Sequence, residues 1–133
     1  MRIFGKRGGK IGVIELFGSI GGSIRSADYD QIFTRALEDK KIKAVVLDID
    51  SPGGAVPASD YIYRRAKRVA EDKPVVASIR GVGASGGYYI ACAAHRIVAV
   101  PGALVGSIGV LSVRPVLQEL LQRVGVAVNV SKS

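Results

Sequence analysis

The stretch that most limits how this chain can fold is Gly81-Val82-Gly83-Ala84-Ser85-Gly86-Gly87-Tyr88-Tyr89-Ile90-Ala91, where five of eleven residues are glycine or serine. It follows a strand-like run over residues 74–79 and leads into an apolar segment over 88–94 with helical character. A strand, a tight glycine turn, a serine and a helix start make a nucleophile-elbow arrangement. Glycines allow the backbone there to be strained and a second segment to approach closely. Ser85 then stands at a helix N-terminus, where free N–H groups and the dipole favour negative charge. The Gly86 N–H points into the same space. This geometry suits a serine attacking a carbonyl, with the oxyanion held beside it. The spacing is G-x-G-A-S-G-G and not G-x-S-x-G, and close backbone packing alone also selects glycine and alanine.

The rest of the chain supplies the frame. Residues 11–17 read as a strand, 18–23 as a glycine-rich loop, and 27–40 as a helix with Ile32, Phe33, Ala36 and Leu37 on one face and Ser26 or Asp28 as its cap. A buried strand over 43–49 ends in Asp48-Ile49-Asp50-Ser51-Pro52-Gly53-Gly54. A second amphipathic helix covers 57–71, with Pro57 suited to its first turn. After the serine turn come a strand over 95–100, a loop over 102–109, a short extended piece over 110–113, a long helix over 114–124 and a further strand over 126–130. Strands alternating with helices imply right-handed crossovers, so the expected class is α/β with a mainly parallel sheet. The domain assignment is a basic arm over 1–10 and one domain over 11–133 that is cut short at its C-terminal end.

In a parallel sheet the strands ending near Asp50 and near Ile79 release their loops at the same edge, where α/β ligand sites form. Pro52-Gly53-Gly54 can then face Ser85. One N–H from that loop together with the Gly86 N–H makes a two-donor oxyanion hole. Gly54 is the first choice for that donor and Gly53 the second.

Several function classes are disfavoured. No apolar stretch approaches 18 residues, so no transmembrane helix is read here. The net charge is +8, with Arg2, Lys6, Arg7 and Lys10 in the arm and Arg64, Arg65, Lys67 and Arg68 on one helix. These basic side chains are not interleaved with aromatics, so nucleic acid is not the expected partner, whereas contact with an acidic membrane surface is admissible. The single Cys92 makes no internal disulfide and reads as a buried thiol. Asp48 and Asp50 share a strand face without a third ligand, which suits local N–H capping better than a metal. No metal-binding or cofactor-binding set is assigned. His95 follows Ser85 by ten residues across a helix, about 15 Å at 1.5 Å per residue, too far for a general base.

Three segments in order, Asp50-Ser51-Pro52-Gly53-Gly54, Gly83-Ala84-Ser85-Gly86-Gly87-Tyr88-Tyr89-Ile90-Ala91 and Gly106-Ser107-Ile108-Gly109-Val110, resemble the signal peptide peptidase A family of serine peptidases, similar in fold to the Clp protease/crotonase superfamily. The resemblance runs from about Ile11 to the end. It implies Ser85 as nucleophile, Gly86 and Gly54 as oxyanion donors, and a Ser-Lys dyad without histidine. It also implies apolar peptide substrates such as signal-peptide remnants, a ring-like homo-oligomer, and membrane association with an extracytoplasmic catalytic domain. The family's base lysine follows a Lys-Ser-Gly-like segment that begins here at Lys132-Ser133, so that lysine is expected beyond residue 133 and the fragment is expected to be inactive alone. Two other readings stay open: a crotonase-like acyl-CoA enzyme, and a non-catalytic membrane-associated scaffold of the same fold.

Overall fold

A computed structural model describes residues 1–5, 9–112 and 115–126. Its frame is a sheet in the order β1-β2-β3-β4-β5, with β6 also paired to β4. The strands are β1 (Arg2–Phe4), β2 (Lys10–Phe17), β3 (Ile42–Ser51), β4 (Val75–Ala84), β5 (Arg96–Ala99) and β6 (Leu104–Gly106). All pairings are parallel except β1 on β2. The expected mainly parallel α/β class is what forms. Arg2–Phe4 adds an antiparallel edge where no strand was read from the sequence.

The helices α1 (Ser26–Glu38) and α2 (Val56–Asp72) are the crossovers from β2 to β3 and from β3 to β4. Successive right-handed crossovers in one direction place both helices on the same sheet face. That face is the core. Ile14 and Leu16 of β2, Val45, Leu47 and Ile49 of β3, and Ala77 and Ile79 of β4 are buried against Phe33 and Ala36 of α1 and Ile62, Ala66 and Val69 of α2. The α2 positions fall at helical spacing, so one stripe does the packing. Each large side chain buried this way contributes about 1.5–3 kcal/mol. Pro57 lies in the first turn of α2, as expected. Neither Ser26 nor Asp28 caps α1: Arg25 is the N-cap, and its guanidinium binds the Asp28 carboxylate at 2.8 Å.

At its far end α1 is stopped by a cation. Lys73 Nζ donates to the carbonyls of Ala36, Leu37 and Asp39 at 2.8, 2.7 and 3.1 Å. These are the orphan acceptors of a helix C-terminus, where positive charge is favoured.

Three expectations are corrected. The loop over 102–109 contains β6, because Val82–Ala84 of β4 offers Leu104–Gly106 a ladder. The helix expected over 114–124 is α4 (Gln118–Arg123), six residues long; Leu117, Leu120 and Val124 around it are exposed, so no core stabilises more turns. Cys92 is exposed: it is the C-cap of the serine-following helix α3 (Gly86–Ala91), and between buried Ala91 and Ala93 its own side chain faces away from the core. Residues 127–130 of the expected final strand, together with Lys6, Arg7 and Lys132, lie outside the described residues.

Candidate active site

Ser85 joins the C-terminal end of β4 to the first residue of α3. Its backbone takes φ 50° and ψ −120°, a left-handed conformation that costs an L-residue about 1–3 kcal/mol. Two hydrogen bonds hold it there. The Ser85 N–H donates to the Gly106 carbonyl at 2.8 Å, and the Ser85 carbonyl accepts from Tyr89 N–H at 2.9 Å. Ser107, next to that acceptor, is the other non-glycine residue with positive φ, at 53°. The third glycine segment is therefore the clamp on Ser85. The hydroxyl itself is half-buried and caps nothing in α3.

The strand that delivers Ser85 is longer than the sequence reading had it, and it carries extra residues. Ile49 pairs with Ile79 but Ser51 pairs with Gly83, so four steps of β4 oppose two of β3. The surplus forms a bulge that re-aims the strand end. Asp50 closes it: its Oδ1 accepts the Val82 N–H at 2.9 Å. The carboxylate does cap an N–H, as read from the sequence, but the N–H is not local: it lies thirty-two positions away on β4. Asp48 turns instead to Arg80, with Arg80 Nε donating to its Oδ1 at 2.7 Å, and the guanidinium also lies over the Phe17 ring at 5.3 Å. Among the described residues no cluster of three or more acidic, histidine or cysteine side chains could hold a metal.

The glycine loop after β3 meets Ser85 directly. At Gly53 (φ 95°) a methyl would lie 2.7 Å from Gly86 N, 2.8 Å from Ser85 Cβ and 2.9 Å from the Ala84 carbonyl oxygen. Only a residue without Cβ lets the two loops touch. The loop's outer side is stitched to Ile20, whose N–H donates to the Gly53 carbonyl at 2.9 Å and whose carbonyl accepts from Ala55 N–H at 2.8 Å. Ile20 and Gly54 thus form a parallel bridge, and a side chain on Gly54 would overlap the Ile20 carbonyl oxygen. In that pattern the groups flanking Gly54 face Ile20, and the Gly54 N–H faces away from it. The Gly53 N–H is committed to Ser51 Oγ at 3.2 Å. The N–H groups of Gly54 and Gly86 have no acceptor among the described residues. The predicted set of Ser85, Gly86, Gly53 and Gly54 is therefore one local cluster.

Beside the cluster lies a mainly apolar cleft of about 190 Å³. Ser85 and Gly86 form one end, and Val56, Tyr89, Ile108 and Val110 form the walls. Tyr89 stacks on Tyr63 of α2, with centroids 4.4 Å apart and planes at 21°. Its hydroxyl is 3.1 Å from Asp60 Oδ1. Desolvation and then this hydrogen bond push the Tyr89 phenol above its ordinary value. The Asp60 carboxyl is lowered, first by its hydrogen bond from Arg64. Glycine spacing pointed to neither Tyr89 nor Asp60 nor Ile20; a tyrosine one helical turn after the serine was the available signal for Tyr89.

His95 is not in the cluster. Its Nδ1 accepts the Val75 N–H at 3.1 Å, at the start of β4, whereas Ser85 follows the other end of that strand. The two sites therefore lie at opposite ends of β4, out of hydrogen-bond reach of one another.

Comparison with known proteins gives one family model, "Peptidase family S49", which matches residues 67–133. The "Serine protease SPPA, chloroplastic" of Arabidopsis thaliana is 52% identical over 88 residues, covering 66% of this chain and 13% of the relative. A lysine-to-alanine mutant of the 1510-N membrane-bound stomatin-specific protease, in complex with a substrate peptide, superposes with TM-score 0.62 at 29% identity, covering 80% of this chain and 46% of that one. ClpP1 from Listeria monocytogenes superposes with TM-score 0.55 at 24% identity, covering 62% of this chain and 46% of that one, which shows the Clp-like fold. The chain spans less than half the length of each of these proteins.

Proposed function

Because this chain belongs to peptidase family S49, we propose that residues 11–133 are the nucleophile-bearing part of a serine endopeptidase that cleaves apolar peptides. The observation that carries the reading is the strained Ser85 backbone at the contact of two glycine loops, with two N–H groups beside it that have no acceptor among the described residues.

In the proposed mechanism Ser85 Oγ attacks the peptide carbonyl and passes its proton to a neutral lysine amine. The Gly86 and Gly54 N–H groups hold the oxyanion, with Gly53 as the close-contact residue that brings the loops together. The protonated lysine then gives its proton to the leaving amine, and water hydrolyses the acyl-enzyme with lysine again as base. That lysine must be neutral near pH 7, which burial supplies by lowering its pKa. We assign it beyond residue 133. The lysine-to-alanine substitution in the peptide-bound neighbour is consistent with a lysine of consequence in such sites. The cleft walls of Val56, Ile108 and Val110 suit an apolar side chain next to the attacked bond.

The same reading carries a homo-oligomer and a membrane-associated protein with the catalytic domain on the extracytoplasmic side. Exposed Leu104, Ile108, Val110 and Leu111, the last 95% accessible, are apolar surface in need of a cover. Among the described residues no helix is long and apolar enough to cross a membrane. The acyl-CoA reading shares the glycine loops, but it leaves the strained Ser85 without a task.

The test is hydrolysis of an apolar fluorogenic peptide by the full-length protein, by its Ser85→Ala variant and by residues 1–133 alone. Turnover in the first that is lost in the other two is expected. Turnover that survives Ser85→Ala overturns the nucleophile, and Ser85-dependent turnover by residues 1–133 overturns the external lysine.

A further inference from the structure

The cleft beside Ser85 is walled by an aromatic ring whose position is fixed from outside the cleft. Tyr89 lies four residues after Ser85, the N-cap of α3, and both residues line the cleft. Three contacts locate its ring. The Tyr89 N–H is bonded to the Ser85 carbonyl at 2.9 Å, one face of the ring stacks on Tyr63, and the hydroxyl meets Asp60 at 3.1 Å. Asp60 and Tyr63 belong to the α2 stripe that also contains Val56 and Ser59. That stripe approaches α3 closely because Gly86 has no side chain; a Cβ there would overlap Ser59 Oγ. The second Asp60 oxygen is occupied, since Arg64 Nε donates to Oδ2 at 2.7 Å. The carboxylate is therefore oriented by Arg64 on one side and holds Tyr89 on the other.

We infer that Asp60 is a positioning residue for substrate selection: by holding the Tyr89 hydroxyl it fixes the ring as the wall that limits how large a side chain the cleft accepts next to the attacked bond. This rests on the peptidase reading of the same site. The opposite wall, Ile108 and Val110, is exposed and belongs to a loop without α or β structure, so it yields more readily than a ring stacked and tethered to α2. Size selection in an apolar cleft then depends on the ring. A misfit of one methylene in such a pocket is worth about 10- to 200-fold in kcat/KM.

The experiment compares full-length parent, Asp60→Ala, Asp60→Asn, Tyr89→Phe and Arg64→Ala on peptides that differ only in alanine, leucine or phenylalanine before the cleaved bond. Asp60→Ala and Tyr89→Phe are expected to shift the phenylalanine-to-alanine ratio of kcat/KM towards the larger residue by about tenfold, through KM more than kcat. The double variant should shift no further, because both single changes cut the same bond. Asp60→Asn keeps an acceptor for the hydroxyl and should restore the parental ratio. Arg64→Ala should shift it less than Asp60→Ala. Parental ratios in both Asp60→Ala and Tyr89→Phe, with Ser85-dependent turnover intact, overturn the inference and leave the peptidase reading standing. If the parent shows no Ser85-dependent turnover, the peptidase reading falls, and the inference is decided by binding of the same peptides to the Ser85→Ala chain with and without Asp60→Ala. An unchanged affinity order there overturns it.

Discussion

Replacing Gly53 by alanine tests whether the contact of the two glycine loops is what builds the site. The new methyl meets three atoms at 2.7–2.9 Å: a backbone nitrogen, a backbone oxygen and the Cβ of Ser85. None is the far end of a flexible side chain, so the loops must part. Overpacking of this kind costs about 1–3 kcal/mol. Holding alanine at φ 95° adds about 1–3 kcal/mol. The combined loss is about 2–6 kcal/mol, a large share of the roughly 5–15 kcal/mol of a domain's total. With a urea m-value of about 2 kcal/mol/M, the unfolding midpoint should fall by about 1–3 M. Gly102→Ala is the internal control, because a Cβ there meets nothing within 4 Å, and it should change stability by less than about 0.5 kcal/mol. Turnover of the folded fraction should drop by at least about 100-fold in Gly53→Ala, since a 1 Å displacement of a reacting group has that effect. The assays are urea unfolding followed by circular dichroism, and peptide hydrolysis under conditions where the variant is folded. A Gly53→Ala protein that unfolds at the parental midpoint and turns over at the parental rate refutes the argument.

Two further outcomes follow from contacts away from the cluster. His95→Ala should leave peptide turnover unchanged and lower stability by about 1 kcal/mol, because the Val75 N–H loses its acceptor; a large loss of kcat would give His95 a catalytic role that its position argues against. Lys73→Met should cost about 2 kcal/mol in urea unfolding without a change in kcat, because three carbonyls at the end of α1 lose a cationic donor; an unchanged midpoint would show that water replaces it fully.

The alternation of apolar runs with helical spacing was enough to order β2, α1, β3, α2 and β4, because each element buries a continuous stripe or face. Motif order was enough to gather Ser85, Gly86, Gly53 and Gly54. What sequence pattern missed has a common origin in long-range backbone pairing. Leu104–Gly106 becomes a strand only because bulged β4 reaches past β5 to offer it a ladder. Ile20 looked like one apolar residue in a glycine loop, yet its two backbone bonds stitch the Gly53–Ala55 segment in place. Asp50 reads as capping a nearby N–H, and its partner proved to be a bulged N–H thirty-two positions away. Arg2–Phe4 was hidden by its charge; its pairing to β2 satisfies backbone groups and needs little apolar burial. The same lack of burial shortened α4, whose neighbouring leucines face solvent.

The partner change along β4 divides the molecule into parts that need not open together. Over Val76–Ile79 the strand is zipped to β5, and over Val82–Ala84 it is zipped to β6. Arg80 and Gly81 pair with neither, and the ladder to β3 skips at the same level. Strand pairing is thus interrupted on both flanks of β4 just before the segment that carries Ser85. In the language of amide hydrogen exchange, this is a boundary between cooperative units. Amides of Ala77 and Ile79, in the buried core, are expected to exchange only by global unfolding. Those of Gly83, Ala84 and Ser85, together with β6, are expected to exchange faster, as a smaller unit that opens with the core closed. Such a division would let the segment that carries Ser85 loosen while the buried helices and inner strands stay undisturbed.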